Sequence, residues 1–167
     1  MPLPALLRAE LWMAGAVVGL DQAAKVVVRS SLALHESVEV IPDFFSLTRV
    51  HNYGAAFGLM NAVDFPFKTV LLSLVAALAL GALAWYGMSL PAGQRLARAG
   101  LALVVGGAAG NLVDRLGEGY VVDFVDLYWR GWHFWAFNVA DAAITVGVAL
   151  MILDMLEIGR RRVSRAV

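Results

Sequence analysis

Four stretches of this chain are long and apolar enough to cross a bilayer, which takes about 20 residues of helix. They run from about residue 11 to 28, 67 to 88, 99 to 116 and 138 to 158. Backbone amides cannot stay unpaired in hydrocarbon, so runs of this length predict helices. The bulk composition agrees: 60% of the 167 residues are hydrophobic and 16% are charged, against about 25% charged in an ordinary soluble domain. The chain is read as one integral membrane domain over residues 1–167, an all-α membrane protein with four transmembrane helices. The first run carries Asp21 and Lys25, charges that the apolar core of a cleaved signal peptide lacks. It reads as a retained span and not as a cleaved signal peptide.

The connections differ in kind. Residues 29–66 form a long loop in which Val38 to Ile41 and Phe44 to Val50 are rich in β-branched and aromatic residues around Pro42-Asp43. That pattern predicts a hairpin, and a small β platform over residues 37–60. Residues 117–137 carry Tyr120, Phe124, Tyr128, Trp129, Trp132, Phe134, Trp135 and Phe137. Such aromatics favour the membrane–water interface. Arg8, then Arg95 and Arg98, then Arg160, Arg161, Arg162 and Arg165 flank the spans on one side. The positive-inside rule places both termini and the short loop in the cytoplasm, with loops 29–66 and 117–137 outside.

That topology brings three aspartates to one membrane face. The third span runs outward, so Asn111, Asp114 and Arg115 lie near its outer end. The fourth runs inward, so Asn138 and Asp141 lie at its outer start, and Asp123 lies on the loop between. Asn111 and Asp114 are three apart, as are Asn138 and Asp141, which puts each pair on one helix face. Two close aspartates share one proton and can act as acid and base on a water. Asp123 and Asp141 are the best candidates, because each lies where a loop meets a helix start. This chemistry calls for no cofactor.

Other chemistries lack their residues. Formal net charge is zero, from 13 basic and 13 acidic residues, which gives no electrostatic footprint for nucleic acid. There are no cysteines, and His35, His51 and His133 are scattered with no H-E-x-x-H motif, so no metal site is expected. No G-x-S-x-G elbow is present. Taken singly, each acid also has a purely structural reading, as a partner that holds helices together. Asp114 beside Arg115, and Asp21, lean that way. The run Gly106-Gly107-Ala108-Ala109-Gly110 reads as a site of close helix packing. A rival function is a proton-coupled small transporter that uses the same acids as a relay, which would need them spread across the membrane depth.

Taken together, the motifs resemble bacterial lipoprotein signal peptidase, signal peptidase II. The likeness rests on Leu20-Asp21-Gln22 with Lys25, on Ile41-Pro42-Asp43-Phe44-Phe45-Ser46 and on Asn52-Tyr53-Gly54-Ala55-Ala56-Phe57. It continues through Gly106-Gly107, Gly110-Asn111 and Asp114-Arg115, then Val121-Val122-Asp123-Phe124 and Phe137-Asn138-Val139-Ala140-Asp141. The resemblance implies an aspartic endopeptidase of the bacterial inner membrane. Its implied substrate is a prolipoprotein signal peptide with a diacylglyceryl cysteine, cut just before that cysteine. Membrane lipid and a globomycin-type inhibitor are further implied partners. The catalytic pair of the family falls on Asp123 and Asp141. Its supporting or substrate-binding residues fall on Asp21, Asn52, Asn111, Asp114, Arg115 and Asn138. One departure is Tyr53, where the family commonly has Thr.

The orientation has a direct test. A reporter active only outside the cytoplasm is expected to be silent when fused after Val167 and active when fused within residues 60–66. Activity at the C-terminal fusion would reverse the orientation and move the three acids to the wrong face.

Overall fold

The structure is a computed structural model that describes residues 5–54, 60, 63 and 65–166, with side chains described within 7–156. The order of elements is α1 (Ala5–Ser31), β1 (Ser37–Ile41), β2 (Phe45–Asn52), α2 (Lys68–Ser89), α3 (Arg95–Gly117), β3 (Val121–Trp129), β4 (Trp132–His133) and α4 (Val139–Ala166). All four helices contain a segment apolar and long enough to span a membrane. The helices overlap the four runs seen in the sequence, and α1, α3 and α4 extend past them at one or both ends. At one end of the bundle, Arg98 of α3 grips Glu10 of α1, with Nη2 donating to Oε2 at 2.9 Å, and Nη1 donates to the Leu90 carbonyl at 2.7 Å. Long basic side chains of this kind let a helix continue past its apolar stretch.

The third helix is the centre of the bundle. Within its span 44% of residues are buried, against 6% in α2. Small residues make this possible. A Cβ on Gly106 would lie 2.8 Å from the Ala14 carbonyl oxygen and Val17 Cβ of α1, and one on Gly107 would strike the Ala140 carbonyl of α4. A Cβ on Gly110 would lie 2.8 Å from Asp21 Oδ2. Close backbone approach is the main source of helix association in lipid, where apolar side chains gain nothing by leaving the solvent. Exposed Trp12, Leu78, Trp85, Met88 and Met155 lie on the outward faces, as a lipid-facing surface requires.

A four-stranded antiparallel sheet, in the order β1-β2-β3-β4, caps one end of the bundle. The expected hairpin is β1–β2, with Asp43 at φ 59 in its turn, a left-handed conformation that Asp tolerates better than most. Residues 55–59, including Ala55, Ala56 and Phe57 of the outer-loop motif, lie outside the described residues, as do the side chains of the C-terminal arginines.

Residues 117–137, whose aromatics predict an interfacial loop, fold differently. Residues Val121 to Trp129 are instead an inner strand of the sheet, with Val50 opposite Asp123 and Asn52 opposite Val121. The run Val121-Val122-Asp123-Phe124-Val125 is β-branched and aromatic, and Arg130-Gly131, at φ 50 and 79, makes the tight turn to β4. The aromatic content that marks an interface also marks a strand. Trp129, Trp132 and Trp135 stay exposed.

The glycine packing predicts opposite outcomes for one chemical change. Elsewhere in a helix, Gly→Ala gains about 0.5–1 kcal/mol from chain entropy. Gly81→Ala, where the new methyl meets nothing within 4 Å, is expected to hold or raise the melting temperature in detergent. Gly107→Ala is expected to lower it by several degrees, because α3 and α4 must separate.

Candidate active site

The site begins with backbone geometry. The amides of Phe124 and Val125 both donate to the Phe137 carbonyl, at 3.0 and 2.8 Å, and the Phe137 amide returns a bond of 3.1 Å to the Val125 carbonyl. This clamp ties Phe137, two residues before α4, to the middle of β3. It sets Asp123 beside the first turn of α4.

Asn138 then starts the helix. Its Oδ1 accepts from the Asp141 amide at 2.9 Å, and Asp141 Oδ2 accepts from the Asn138 amide at 3.3 Å. This is a reciprocal capping box, with Asn in place of Ser or Thr and Asp in place of Glu. The three-residue spacing between Asn138 and Asp141 therefore has a local cause. The carboxylate at the helix start also meets the positive end of the helix dipole.

Asn138 serves both aspartates. Its Nδ2 donates to Asp123 Oδ1 at 2.7 Å, with longer contacts to Asn111 Oδ1 at 3.1 Å and the Val122 carbonyl at 3.3 Å. The second oxygen of Asp123 accepts from Asn52 Nδ2 at 3.0 Å. Asp141 Oδ1 accepts from Asn111 Nδ2 at 2.8 Å. Three asparagines on β2, α3 and the start of α4 thus orient two carboxylates. Asp123 is 3% exposed, and Asp141 is half-buried. Burial, and then the Asp141 charge, push the Asp123 carboxyl up to about 7, against the opposing pull of the Asn52 and Asn138 bonds and of Lys25.

Behind the aspartates lies an ion cluster. Lys25 is fully buried, and its Nζ lies 2.7 Å from Asp21 Oδ2, 2.7 Å from Asp114 Oδ2 and 2.9 Å from Asn111 Oδ1. Gln22 Nε2 donates to Asp114 Oδ1 at 2.9 Å and to the Gly110 carbonyl at 3.1 Å. Asp21 Oδ1 accepts from the Ala140 amide at 3.0 Å, so the cluster also holds the start of α4. Asp114 Oδ2 accepts from the Val122 amide at 3.4 Å.

The sequence-predicted residues fall into two layers. Asn52, Asn111, Asp123, Asn138 and Asp141 meet directly. Asp21 and Asp114 belong to the cluster behind them. Asp114 is not held by its neighbour Arg115; a helix points consecutive side chains apart, and Lys25 and Gln22 of α1 take that place. Arg115 turns to the outer loop, donating to the Gly54 carbonyl at 3.0 Å and to the Asn111 carbonyl at 3.2 Å. The sequence reading gave Lys25 and Gln22 no role. The signal was present: a basic residue four after an acid inside an apolar span has almost no stable alternative to pairing with it. Among the described residues, no three His, Cys, Asp or Glu side chains gather as a metal would need.

The family model for signal peptidase (SPase) II matches residues 13–157. The chain belongs to the signal peptidase II family. Similar members include the lipoprotein signal peptidase of Geobacter sulfurreducens, 46% identical over 86% of this chain and 88% of that protein. That of Symbiobacterium thermophilum is 44% identical over 86% of this chain and 91% of that protein. Two solved structures described as bacterial membrane enzymes, determined by the in meso method, share the fold. One is 32% identical, with a TM-score of 0.79 over 89% of this chain and 88% of the other. The second is 30% identical, with a TM-score of 0.80 over 89% and 92%. Membership makes the chain a multi-pass membrane protease, and fits a four-helix bundle with a small sheet.

The raised Asp123 carboxyl has a consequence for stability. An acid whose folded value lies above its unfolded value of about 3.8 binds its proton more tightly when folded. Stability then falls as pH rises from about 4 to about 7, at a cost on the order of 4 kcal/mol above that window. Asparagine carries no such cost. Asp123→Asn is expected to melt higher than the wild type at pH 8, with the difference closing toward pH 4. Equal melting temperatures at both ends would show that Asp123 ionises without penalty.

Proposed function

We propose that the chain removes the signal peptide from prolipoproteins that carry a diacylglyceryl cysteine, cutting just before that cysteine, with Asp123 and Asp141 as its catalytic pair. The observation that carries this reading is the pair itself. Two carboxylates on different elements are oriented by a shared asparagine, one fully buried and one half-buried, at the end of the bundle where the sheet lies. Asp123, with a carboxyl pushed up to about 7, is the member of the pair that can still carry a proton near neutral pH. Asp141 takes a proton from the attacking water. The Asp123 proton goes to the carbonyl oxygen of the scissile bond as the tetrahedral intermediate forms. When that intermediate collapses, the carbon–nitrogen bond breaks, and the leaving amine receives the proton that Asp141 took. The oxygen returns its proton to Asp123, and the net reaction adds one water.

In this reading Asn52, Asn111 and Asn138 set the carboxylates, and Arg115 sets the loop over them. Asp21 and Asp114 act through Lys25. The membrane is the bacterial inner membrane, both termini are cytoplasmic, and the site lies near the outer face, where lipid-attached substrate and outside water meet. A globomycin-type cyclic peptide would occupy the same place.

The test is cleavage of a diacylglyceryl-modified lipobox peptide by purified protein in detergent. Asp123→Asn and Asp141→Asn are each expected to lose nearly all turnover, and the double variant to be little worse than either single, since groups acting as a unit are non-additive. Asp114→Asn is expected to melt lower while keeping partial turnover. Excess chelator is expected to leave the rate unchanged. Because the acid form of Asp123 is required, kcat/KM is expected to fall as pH rises through about 7. An active Asp123→Asn beside a folded, dead Asp114→Asn would transfer the role to Asp114.

A further inference from the structure

The contact between Asn52 and Asp123 is made at the end of a strand. Asn52 is the last residue of β2, and its pairing with Val121 is the last rung of the ladder to β3. Strand ends open at little cost. Yet Asn52 must stay close enough for its Nδ2 to reach Asp123 Oδ2, on the diagonal two residues along β3.

Alternation separates the two faces of this strand end. Asn52, Val121 and Asp123 point one way; His51, Tyr53, Tyr120 and Val122 point the other. On that second face the His51 ring lies flat on Tyr120, with centroids 3.7 Å apart and planes 17° from parallel. The Tyr53 ring closes against both, at 6.3 Å from His51 and 5.5 Å from Tyr120. Tyr120 is itself anchored against the buried cluster of Val28, Val122 and Phe124. The His51 imidazole is held below its usual value by burial and by the charge of Arg49, so it stacks as a neutral ring.

We propose that the stack of His51 on Tyr120 is a positioning device, which holds the end of β2 against β3 so that Asn52 stays bonded to Asp123. Neither ring is a catalytic residue; both act through Asn52. The inference rests on the assignment of Asp123 as the catalytic acid. Diagonal same-face pairs are the natural place for such a tie, because they fix both the spacing and the twist of the two strands. The turn beyond Asn52 is tied separately, by the Gly54 amide donating to Asn52 Oδ1 at 2.9 Å and by Arg115. Those bonds hold Gly54, whereas the stack holds the strand.

A device that acts through Asn52 leaves a signature at Asp123. The Asn52 bond favours the ionised carboxyl; loosening it makes Asp123 harder to ionise. The charged groups around Asp123 are Asp141 on α4, Lys25 on α1 and Arg115 on α3. A change at Tyr120 alters none of them.

The experiment measures kcat, KM and the alkaline limb of the pH profile with the lipidated lipobox peptide. The variants are Tyr120→Ala, Tyr120→Phe, His51→Ala, His51→Phe, Asn52→Ala, and Asn52→Ala combined with Tyr120→Ala. Tyr120→Ala and His51→Ala are each expected to lower kcat about tenfold with KM within about twofold. Both are expected to move the alkaline limb upward, as Asn52→Ala does. The Phe variants, which keep a flat ring, are expected to recover most of the rate. The double variant is expected to match Asn52→Ala alone. Losses that multiply in the double variant, Ala variants with unchanged kcat, or an unmoved alkaline limb overturn the inference. If Tyr120→Ala does not fold, the half-buried His51 pair decides alone. Wild-type cleavage that is lost in Asp123→Asn but unmoved in His51→Ala overturns only this inference. Cleavage by Asp123→Asn overturns the catalytic assignment, and this inference with it.

Discussion

Lys25 carries its ammonium at zero exposure inside a helix bundle, and most of the site is arranged around that charge. Removing such a group from water costs several kcal/mol, and an unpaired ion there would be untenable. Two carboxylates at 2.7 Å and the Asn111 side-chain Oδ1 at 2.9 Å offset the cost. Each partner then has a second bond elsewhere: Asp21 to the Ala140 amide, Asp114 to Gln22 and the Val122 amide, Asn111 to Asp141. The charge therefore ties α1, α3, α4 and β3 together at one depth. Loss of one partner of a buried pair typically costs about 3–5 kcal/mol because it strands the other. Here a single loss would loosen bonds on several elements at once, which is why it is expected to lower the melting temperature.

The two aspartates are placed by different means. Asp141 is a capping residue, and its spacing from Asn138 is dictated by the first turn of a helix. Asp123 is a strand residue, brought to the helix by the clamp on Phe137. Rigid elements locate a group more narrowly than loops do. Asn138 joins the two placements, since one side chain both caps α4 and donates to Asp123.

The bundle was legible in the sequence because span length is fixed by the bilayer and by the helix rise, which leaves few alternatives. The positions of Asp114 and Asp141 along their spans, and of Asp123 in the connection between them, were legible for the same reason. The strand at 121–129 was not. Its aromatics serve two roles with one composition, and the partner strand lies some seventy residues earlier, as for Asn52 and Asp123. The pairing of Lys25 with Asp114 was hidden in the same way, because only the fold decides which of several polar groups on two helices meet. Arg115, next to Asp114 in sequence, points away from it on the helix and reaches Gly54.

The difference in burial between the two carboxylates gives the proposed chemistry its direction. Asp123 lies between the sheet and the bundle, where loss of water works against its charge. Asp141 lies at a helix start and is only partly buried, so a water can approach it. If both were equally buried, neither would ionise readily and no base would be available. If both were equally wet, both would ionise and no acid would remain near neutral pH. A hydrolase working between lipid and water needs one carboxylate on each side of that balance. A strand residue tucked under the bundle and a helix cap at its edge place them there.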